Sequence, residues 1–185
     1  YAGHTEPQGR FATRWFRGPL LRDVLEATAD ADAVQLDLKS SAVWYIDQLV
    51  DLLNDDHLAD RRLMISARDP GTLVALADRA PHALRALSIG EPHELAALRA
   101  DPALAEALDG VTIRETLLDA EVAAWLCEHG LFVNAWVVND VRRANALIHL
   151  GVGAITTDNL ALMQALGQPQ QRDVDLVAAM RPGYQ

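Results

Sequence analysis

Hydrophobic residues follow two different periods along this 185-residue chain. Six short apolar runs predict β-strands, and each is followed by a stretch in which apolar residues recur at helical spacing. The predicted strands cover residues 33–38, 63–66, 84–89, 111–113, 131–138 and 154–156. The predicted helices cover residues 43–53, 71–80, 94–108, 118–129, 141–150 and 160–166, and one more, over 20–29, precedes the first strand.

The alternation of strands and helices predicts an α/β fold with a parallel sheet, because such helices serve as right-handed crossovers between parallel strands. Periodicity alone does not separate a doubly wound sheet from a TIM-like (β/α) barrel. No glycine-rich phosphate loop follows any predicted strand, which favours the barrel. A full barrel typically needs about 250 residues, so we expect an incomplete barrel in this chain.

The sequence on either side of this alternation divides the chain into three parts. Residues 1–18 combine glycine, proline, arginine and aromatic side chains without a clear period, so we expect an irregular leading segment. Residues 19–166 form the predicted barrel portion. Residues 167–185 begin with a Gln-Pro-Gln-Gln run after a glycine and are predicted to form a polar tail.

Composition narrows the range of partners. The chain carries 16 basic against 26 acidic residues, a formal net charge of -10, which would repel a phosphate backbone and disfavours nucleic acid. No apolar run reaches the roughly 18 to 20 residues of a membrane helix, so no membrane span is predicted in this chain. The single cysteine, Cys127, cannot form an internal disulfide, and composition leaves the cellular compartment open.

The first predicted strand has a polar face. Side chains alternate across a strand, so Gln35, Asp37 and Lys39 share one face while apolar residues occupy the other. Both faces of a parallel sheet are usually buried, and a carboxylate beside a lysine at the carboxyl end of such a strand indicates a functional site. The alternative is a plain ion pair on a solvated edge, which is common and contributes little.

The ends of later strands carry further cations. Arg68 and Arg114 occupy positions equivalent to Lys39, and three cations at one rim predict a pocket for an anion such as phosphate. Alternatively, each basic side chain extends separately into water. Trp136 lies at the same position on the fifth strand, where it either lines a cavity or fills the core. Arg61 and Arg62 are expected to lie on the surface, so their removal should weaken phosphate binding less than removal of Arg68 or Arg114.

Metal binding rests on one carboxylate. Asp37 is a hard oxygen ligand suited to Ca²⁺ or Mg²⁺, but these ions prefer six or more oxygens, and no second inward carboxylate is evident. Asn139 or Asp140, and likewise Asp158, precede predicted helices and are expected to cap them. A bound divalent cation would therefore need ligands from outside the predicted strands.

Four motifs follow one another along the predicted barrel portion. They are Leu-Asp-Leu-Lys at 36–39, Ile-Ser-Ala-Arg-Asp-Pro at 65–70, His-Gly-Leu at 129–131 leading to Trp-Val-Val-Asn at 136–139, and Gly-Val-Gly-Ala-Ile-Thr-Thr-Asp at 151–158. In this order they resemble the carboxyl-terminal part of glycerophosphodiester phosphodiesterases. The resemblance implies a TIM barrel that hydrolyses glycerophosphodiesters to glycerol 3-phosphate and an alcohol, an activity of lipid metabolism. It further implies a divalent cation held by carboxylates, a lysine on the phosphate, and histidines as acid and base.

At the matching positions, the resemblance implies that Asp37 is a metal ligand and that Lys39 is the catalytic residue that binds the phosphate. It also implies that Trp136 lines the glycerol side. This sequence departs from the family by having Asp37 in place of glutamate, Val137 in place of threonine and Gly153 in place of aspartate. A phenylalanine near Ala67 is also missing.

The early family motifs, His-Arg, Glu-x-Asp and His-Asp, are absent from the chain. Two hypotheses follow from this. The chain is a fragment of a longer hydrolase whose front half, or a partner chain, supplies those motifs. Alternatively, it is a degenerate, non-catalytic barrel module with a structural or partner-binding role. In either case the chain alone is predicted to be inactive, because a water activator and an acid for the leaving alkoxide are missing.

Overall fold

The computed structural model describes residues 19–55, 58 and 61–167 of the chain. The strands are β1 (Val34–Asp37), β2 (Leu63–Ala67), β3 (Leu84–Ile89), β4 (Gly110–Arg114), β5 (Phe132–Trp136) and β6 (Ala154–Ile155). The helices are α1 (Leu21–Ala27), α2 (Val43–Leu53), α3 (Pro70–Ala77), α4 (Pro92–Arg99), α5 (Pro102–Glu106), α6 (Ala120–Glu128), α7 (Val141–His149) and α8 (Leu160–Gly167), with a 3₁₀ turn over Glu115–Leu117.

The six strands form one sheet in sequential order, and every neighbouring pair is parallel. The sheet curls so far that the side chains of Asn134 on β5 and Gln35 on β1 meet across its concave face, with 2.7 Å between amide nitrogen and amide oxygen. A TIM barrel closes with eight strands. The described residues therefore form an incomplete TIM-like barrel with flanking helices, and the predicted fold class is confirmed.

The main core lies between the convex face of the sheet and the helices. Strand side chains such as Ile65, Ile89 and Ile113 are completely buried there, against helix residues such as Leu53 and Leu126. Each strand thus presents one parity to the helices and the other to the barrel interior. Burial of this apolar face fixes the register of the strands, because a slip by one residue would turn it into the interior.

A second, smaller apolar cluster fills the amino-terminal end of the interior. Met64, Ala86 and Phe132 are buried together, and they form what we call the floor. Two glycines make room for Phe132, one for its ring and one for its backbone. A Cβ atom at Gly153 would lie 2.3 Å from that ring, and one at Gly110 would lie 2.5 Å from the Phe132 carbonyl oxygen. Both positions need glycine because of close approach.

Aspartate side chains begin four of the helices, each accepting a hydrogen bond from a backbone amide three residues further on. These N-caps are Asp69, Asp101, Asp119 and Asp140. The predicted single helix over 94–108 is wrong. It is divided into α4 and α5 because Pro102 has no amide proton to continue the first helix and instead starts the second behind its cap.

The predicted cap Asp158 is also wrong. Asn159 begins α8, with its side-chain oxygen accepting hydrogen bonds from the amides of residues 161 and 162. Of the two candidates before α7, Asp140 is the cap, whereas Asn139 accepts hydrogen bonds from Thr157 and from the Asp158 amide. Asn139 thereby joins the loops that follow β5 and β6.

The predicted leading segment 1–18 lies outside the described residues, as does the predicted tail beyond Gly167, the last residue of α8. The two edge strands, β1 and β6, are four and two residues long, shorter than the strands between them. Exposed apolar side chains on α8, the helix that follows β6, include Leu160 and Met163. None of the helices in the described ranges is long and apolar enough to cross a membrane.

Candidate functional site

The carboxyl-terminal ends of the strands form a charged rim on the concave side of the barrel. Parallel register brings equivalent positions of neighbouring strands together, as it does for Asp37 with Ser66 and for Arg114 with Trp136. The residues that form this rim are Asp37, Lys39, Arg68, Gly90, Arg114 and Trp136. In barrels of this architecture the active site lies at this end.

Asp37 and Lys39 form an ion pair at the β1 end of the rim. The Lys39 ammonium nitrogen lies 2.5 Å from Asp37 Oδ2, and the two side chains are 65% and 43% exposed. An ion pair this accessible adds little to stability, because water screens it. The ammonium can therefore exchange Asp37 for an incoming anion at small cost.

Asp37 is also oriented from inside the barrel by a chain of hydrogen bonds that crosses the interior. Asn134 Nδ2 donates to Gln35 Oε1 at 2.7 Å, and Gln35 Nε2 donates to Ser66 Oγ at 3.0 Å. The Ser66 hydroxyl in turn donates to Asp37 Oδ1 at 3.4 Å. Every donor points in the same direction, and the chain ends on the carboxylate. The layer between floor and rim thus links β5 to the candidate site.

An open cavity of about 380 Å³ lies between the loops that follow β1 and β2. Lys39 and Arg68 both line it, so two of the three predicted cations share one space. Asp69 also lines the cavity, but its carboxylate is engaged as the N-cap of α3, where it accepts hydrogen bonds from the Thr72 amide and hydroxyl. The side-chain hydrogen bond from Thr72 is the main cause that holds the pKa of Asp69 below its usual 3.8.

Arg68 and Arg114 converge above β3. They extend from the strands on either side of it, and their guanidinium nitrogens lie 3.0 Å and 3.7 Å from the position that a Cβ atom on Gly90 would occupy. Trp136 approaches the same position to 3.4 Å, and the Arg114 guanidinium carbon lies 5.7 Å from the centre of its ring. Gly90 is buried beneath these groups. Trp136 is half-buried at the rim, where it borders this space rather than filling the core.

Two glutamates at the start of α4 face the arginines. Glu91 lies 3.1 Å from Arg114, and Glu94 lies 4.0 Å from Arg68. The Glu94 carboxylate accepts hydrogen bonds from the amides of Gly90 and Glu91, at 2.6 and 2.9 Å. Burial raises the pKa of Glu94, but those amide hydrogen bonds and the charge of Arg68 outweigh it, so the pKa is lowered overall.

Within the described part of the chain, Asp37 is the carboxylate among the six rim residues, and it does not cap a helix. No group of three or more potential metal-ligating side chains occurs in the described ranges. Divalent cations such as Ca²⁺ take six to eight oxygen ligands. Asp37 would supply only part of such a ligand set.

All five predicted site residues lie on one rim, but sequence reasoning missed Gly90 and the two glutamates. Gly90 follows β3 at the parity of Ser88, so reading the end of the third strand like the others would have placed it on the rim. Arg61 is unsuitable as a surface comparison. Its guanidinium donates hydrogen bonds to the carbonyls of Leu25 and Thr28 and ties α1 to the barrel.

Comparison with known sequence families and with curated protein sequences found no match to this chain. Solved structures do match. A candidate glycerophosphoryl diester phosphodiesterase from Silicibacter pomeroyi is 21% identical with a TM-score of 0.66, over 81% of this chain and 56% of its own. A phosphodiesterase from Oleispira antarctica, solved with its product sn-glycerol 3-phosphate, is 21% identical with a TM-score of 0.66, over 80% of this chain and 60% of its own.

A candidate glycerophosphodiester phosphodiesterase from Galdieria sulphuraria is 16% identical with a TM-score of 0.64, over 88% of this chain and 74% of its own. At this level of identity the matches show the fold. The chain spans little more than half the length of the first two of these proteins. The structural neighbours of this incomplete barrel are therefore glycerophosphodiester phosphodiesterases.

Proposed function

We propose that the rim binds a glycerophosphodiester and that the complete protein hydrolyses it to glycerol 3-phosphate and an alcohol. The observation that carries this proposal is that cations from three strands, Lys39, Arg68 and Arg114, lie on one rim of a barrel whose structural neighbours are phosphodiesterases. Arginine and lysine are the natural ligands of phosphate, and chemistry in such barrels occurs at this rim.

Lys39 holds the phosphate in this proposal. Its ammonium faces the cavity between the first two strands and gives up Asp37 for a phosphate oxygen. Because phosphoryl transfer builds charge on the equatorial oxygens, a fixed cation there favours the transition state. Arg68, Arg114 and Trp136 contact the remainder of the substrate, with Trp136 against the glycerol carbons.

Asp37 is the carboxylate that the described rim would offer to a divalent cation, Ca²⁺ or Mg²⁺. Its Oδ1 is already oriented by Ser66, so the carboxylate points from the strand into the rim. Further ligands, together with the acid and the base, would come from a front half of the barrel or from a partner chain. Eight strands close a barrel and six are described, so two further β/α units fit between β6 and β1.

A second candidate function is a non-catalytic barrel module that binds a partner. The apolar side chains exposed on α8, the helix that follows β6, favour it, because exposed apolar groups form a typical contact surface and β6 is an edge strand among the described residues. Both candidates require something to cover these edges. They differ in whether the rim binds phosphate.

Calorimetric titration with sn-glycerol 3-phosphate separates them. The 185-residue chain binds it saturably in our proposal, and Lys39→Ala weakens binding about tenfold or more, the size of one charge-assisted hydrogen bond. Arg62→Ala is the control, since Arg62 is exposed at the amino-terminal side of β2. Equal loss in both variants, or no binding, would favour the partner-binding module.

A turnover assay tests whether hydrolysis requires further β/α units. None of the rim residues named above is a histidine, the acid and base that the family resemblance implies, so we expect that the chain alone does not hydrolyse glycerophosphocholine. Hydrolysis by this chain that is abolished in Lys39→Ala would contradict the need for further β/α units.

A further inference from the structure

The arrangement above Gly90 is more than is needed to hold a single phosphate. Two guanidinium groups from different strands approach one point, although like charges repel at such distances. Arg68 lies 4.0 Å from Glu94, beyond hydrogen-bond distance, and among the described residues no protein acceptor receives a hydrogen bond from its guanidinium. Its donors therefore remain available to a ligand.

Glu94 is only a distant partner of Arg68, since its Oε2 atom accepts hydrogen bonds from the amides of Gly90 and Glu91 and its Oε1 atom lies 4.0 Å from the guanidinium. Glu91 pairs with Arg114, but both side chains are nearly half exposed, at 46% and 42%. An exposed pair of this kind is readily exchanged for a ligand. The convergence over a glycine thus leaves a space bordered by two guanidinium groups and one aromatic ring.

The position of this space relative to Lys39 indicates which part of a bound substrate would reach it. Lys39 extends from β1 and Gly90 follows β3, so two strand spacings, about 10 Å, separate their strands along the rim. Arg68 borders both spaces, since it lines the Lys39 cavity and reaches Gly90. A ligand that occupies both spaces needs a second anion beyond the first phosphate.

We propose that Arg68 and Arg114, converging over Gly90 beside Trp136, form a second anion subsite. It holds an anionic group attached to the glycerol beyond the phosphate bound by Lys39. The inference rests on the proposed function and narrows its substrate class to diesters whose glycerol carries a further phosphate. The planar fork of arginine suits such a group, and two forks can bind it together.

Two ligands that differ by one glycerophosphoryl unit, and so by one phosphate charge, form the test. Glycerophosphoglycerol has one phosphate, whereas bis(glycerophospho)glycerol carries a second phosphate on the same central glycerol. Calorimetry on the 185-residue chain is expected to give about tenfold tighter binding of the second ligand, corresponding to one additional charge-assisted contact. Lys39→Ala weakens both ligands.

Four variants locate the preference, with Arg62→Ala as their control. Arg68→Ala and Arg114→Ala each lower the ratio of the two affinities severalfold, whereas Arg62→Ala, with the same change of charge at the opposite end of β2, leaves the ratio unchanged. Gly90→Ala also lowers it without changing charge, because the new methyl group displaces the flexible Arg68 tip rather than the backbone. Glu91→Gln raises it by releasing Arg114.

The possible failures are distinguishable. Equal affinities for the two ligands, with Lys39→Ala still weakening both, would overturn the subsite and leave the proposed function intact. A preference that falls equally in Arg62→Ala and in Arg68→Ala would overturn it in favour of diffuse charge. Binding of neither ligand would overturn the proposed function, and the subsite with it.

Discussion

The two ends of the barrel interior differ sharply, although the same strands build both. At the amino-terminal end the floor is apolar, with Ala86 1% and Phe132 6% exposed. At the carboxyl-terminal end the rim is charged and open, with the Lys39 and Arg68 side chains 65% and 61% exposed. Between them lies the layer of hydrogen-bonded polar groups that ends on Asp37.

This contrast separates stability from binding within a single face of the sheet. Packing at the floor excludes water and holds the strands at their spacing, so substitutions there change the free energy of unfolding. The rim contributes little to that free energy because its ion pairs are exposed, and its side chains remain available to a ligand. The hydrogen-bonded layer between them orients the Asp37 carboxylate relative to the packed strands.

The largest expected effect is at the floor. Phe132→Ala removes a buried ring and lowers the free energy of unfolding by about 3–5 kcal/mol, measured by urea denaturation. The milder Phe132→Leu keeps the chain folded and retains binding of sn-glycerol 3-phosphate. Trp136→Ala at the rim is the matched comparison, with a smaller loss of stability and weaker binding. A reversed pattern would break the division between the two ends.

The second-largest expected loss of stability comes from a steric clash with the Phe132 ring. Gly153→Ala places a methyl group 2.3 Å from the Phe132 ring and is expected to cost about 1–3 kcal/mol. The cost falls in the Phe132→Leu background, so the double-mutant cycle shows coupling between the two positions. Additive effects would mean that Gly153 is needed for some reason other than the ring.

The smallest expected effect is that of low pH on Asp69, the N-cap of α3 that lines the cavity next to Lys39. Asp69 has a lowered pKa in the folded state, chiefly through the Thr72 hydroxyl, so it contributes stability above its unfolded pKa of about 3.8. That contribution is lost as pH falls through the folded value. At pH 7, Asp69→Ala costs about 1 kcal/mol as a lost N-cap.

The pH dependence below about pH 4 should be weaker in Asp69→Asn, which keeps a capping oxygen but cannot titrate. Asp101→Asn is the matched control, since Asp101 caps α5 away from the rim. Urea midpoints measured between pH 7 and pH 3 give the comparison. An unchanged acid slope in Asp69→Asn would show that Asp69 is not its source.

Most of the fold could be predicted from local patterns. All six strands and the parallel class follow from the periodicity, because buried strands and amphipathic helices leave distinct spacings. The break between α4 and α5 could also have been predicted from Asp101 and Pro102, which form a cap followed by a helix-starting proline. Alternation along β1 likewise indicated the polar face that carries Asp37 and Lys39.

The geometry of the site was harder to predict because it depends on distant parts of the chain. Contact between Gln35 and Asn134 depends on how far the sheet curls, which no local pattern records. Gly90 matters because side chains from two neighbouring strands cover it, and the sequence shows only a glycine after an apolar run. Alternation along the strands predicts which residues lie on the rim, whereas the curvature of the sheet determines which of their side chains are in contact.

The most direct test of the central claim is a titration of the ¹⁵N-labelled chain with sn-glycerol 3-phosphate, followed by NMR. We expect saturable shifts at the rim, at the Gly90 amide and the Trp136 indole N–H, while the amides of Met64, Ala86 and Phe132 at the floor stay unchanged. The same titration of Lys39→Ala should need a higher ligand concentration. Shifts centred on the floor or spread evenly over the surface, or none at all, would contradict a phosphate site at the rim.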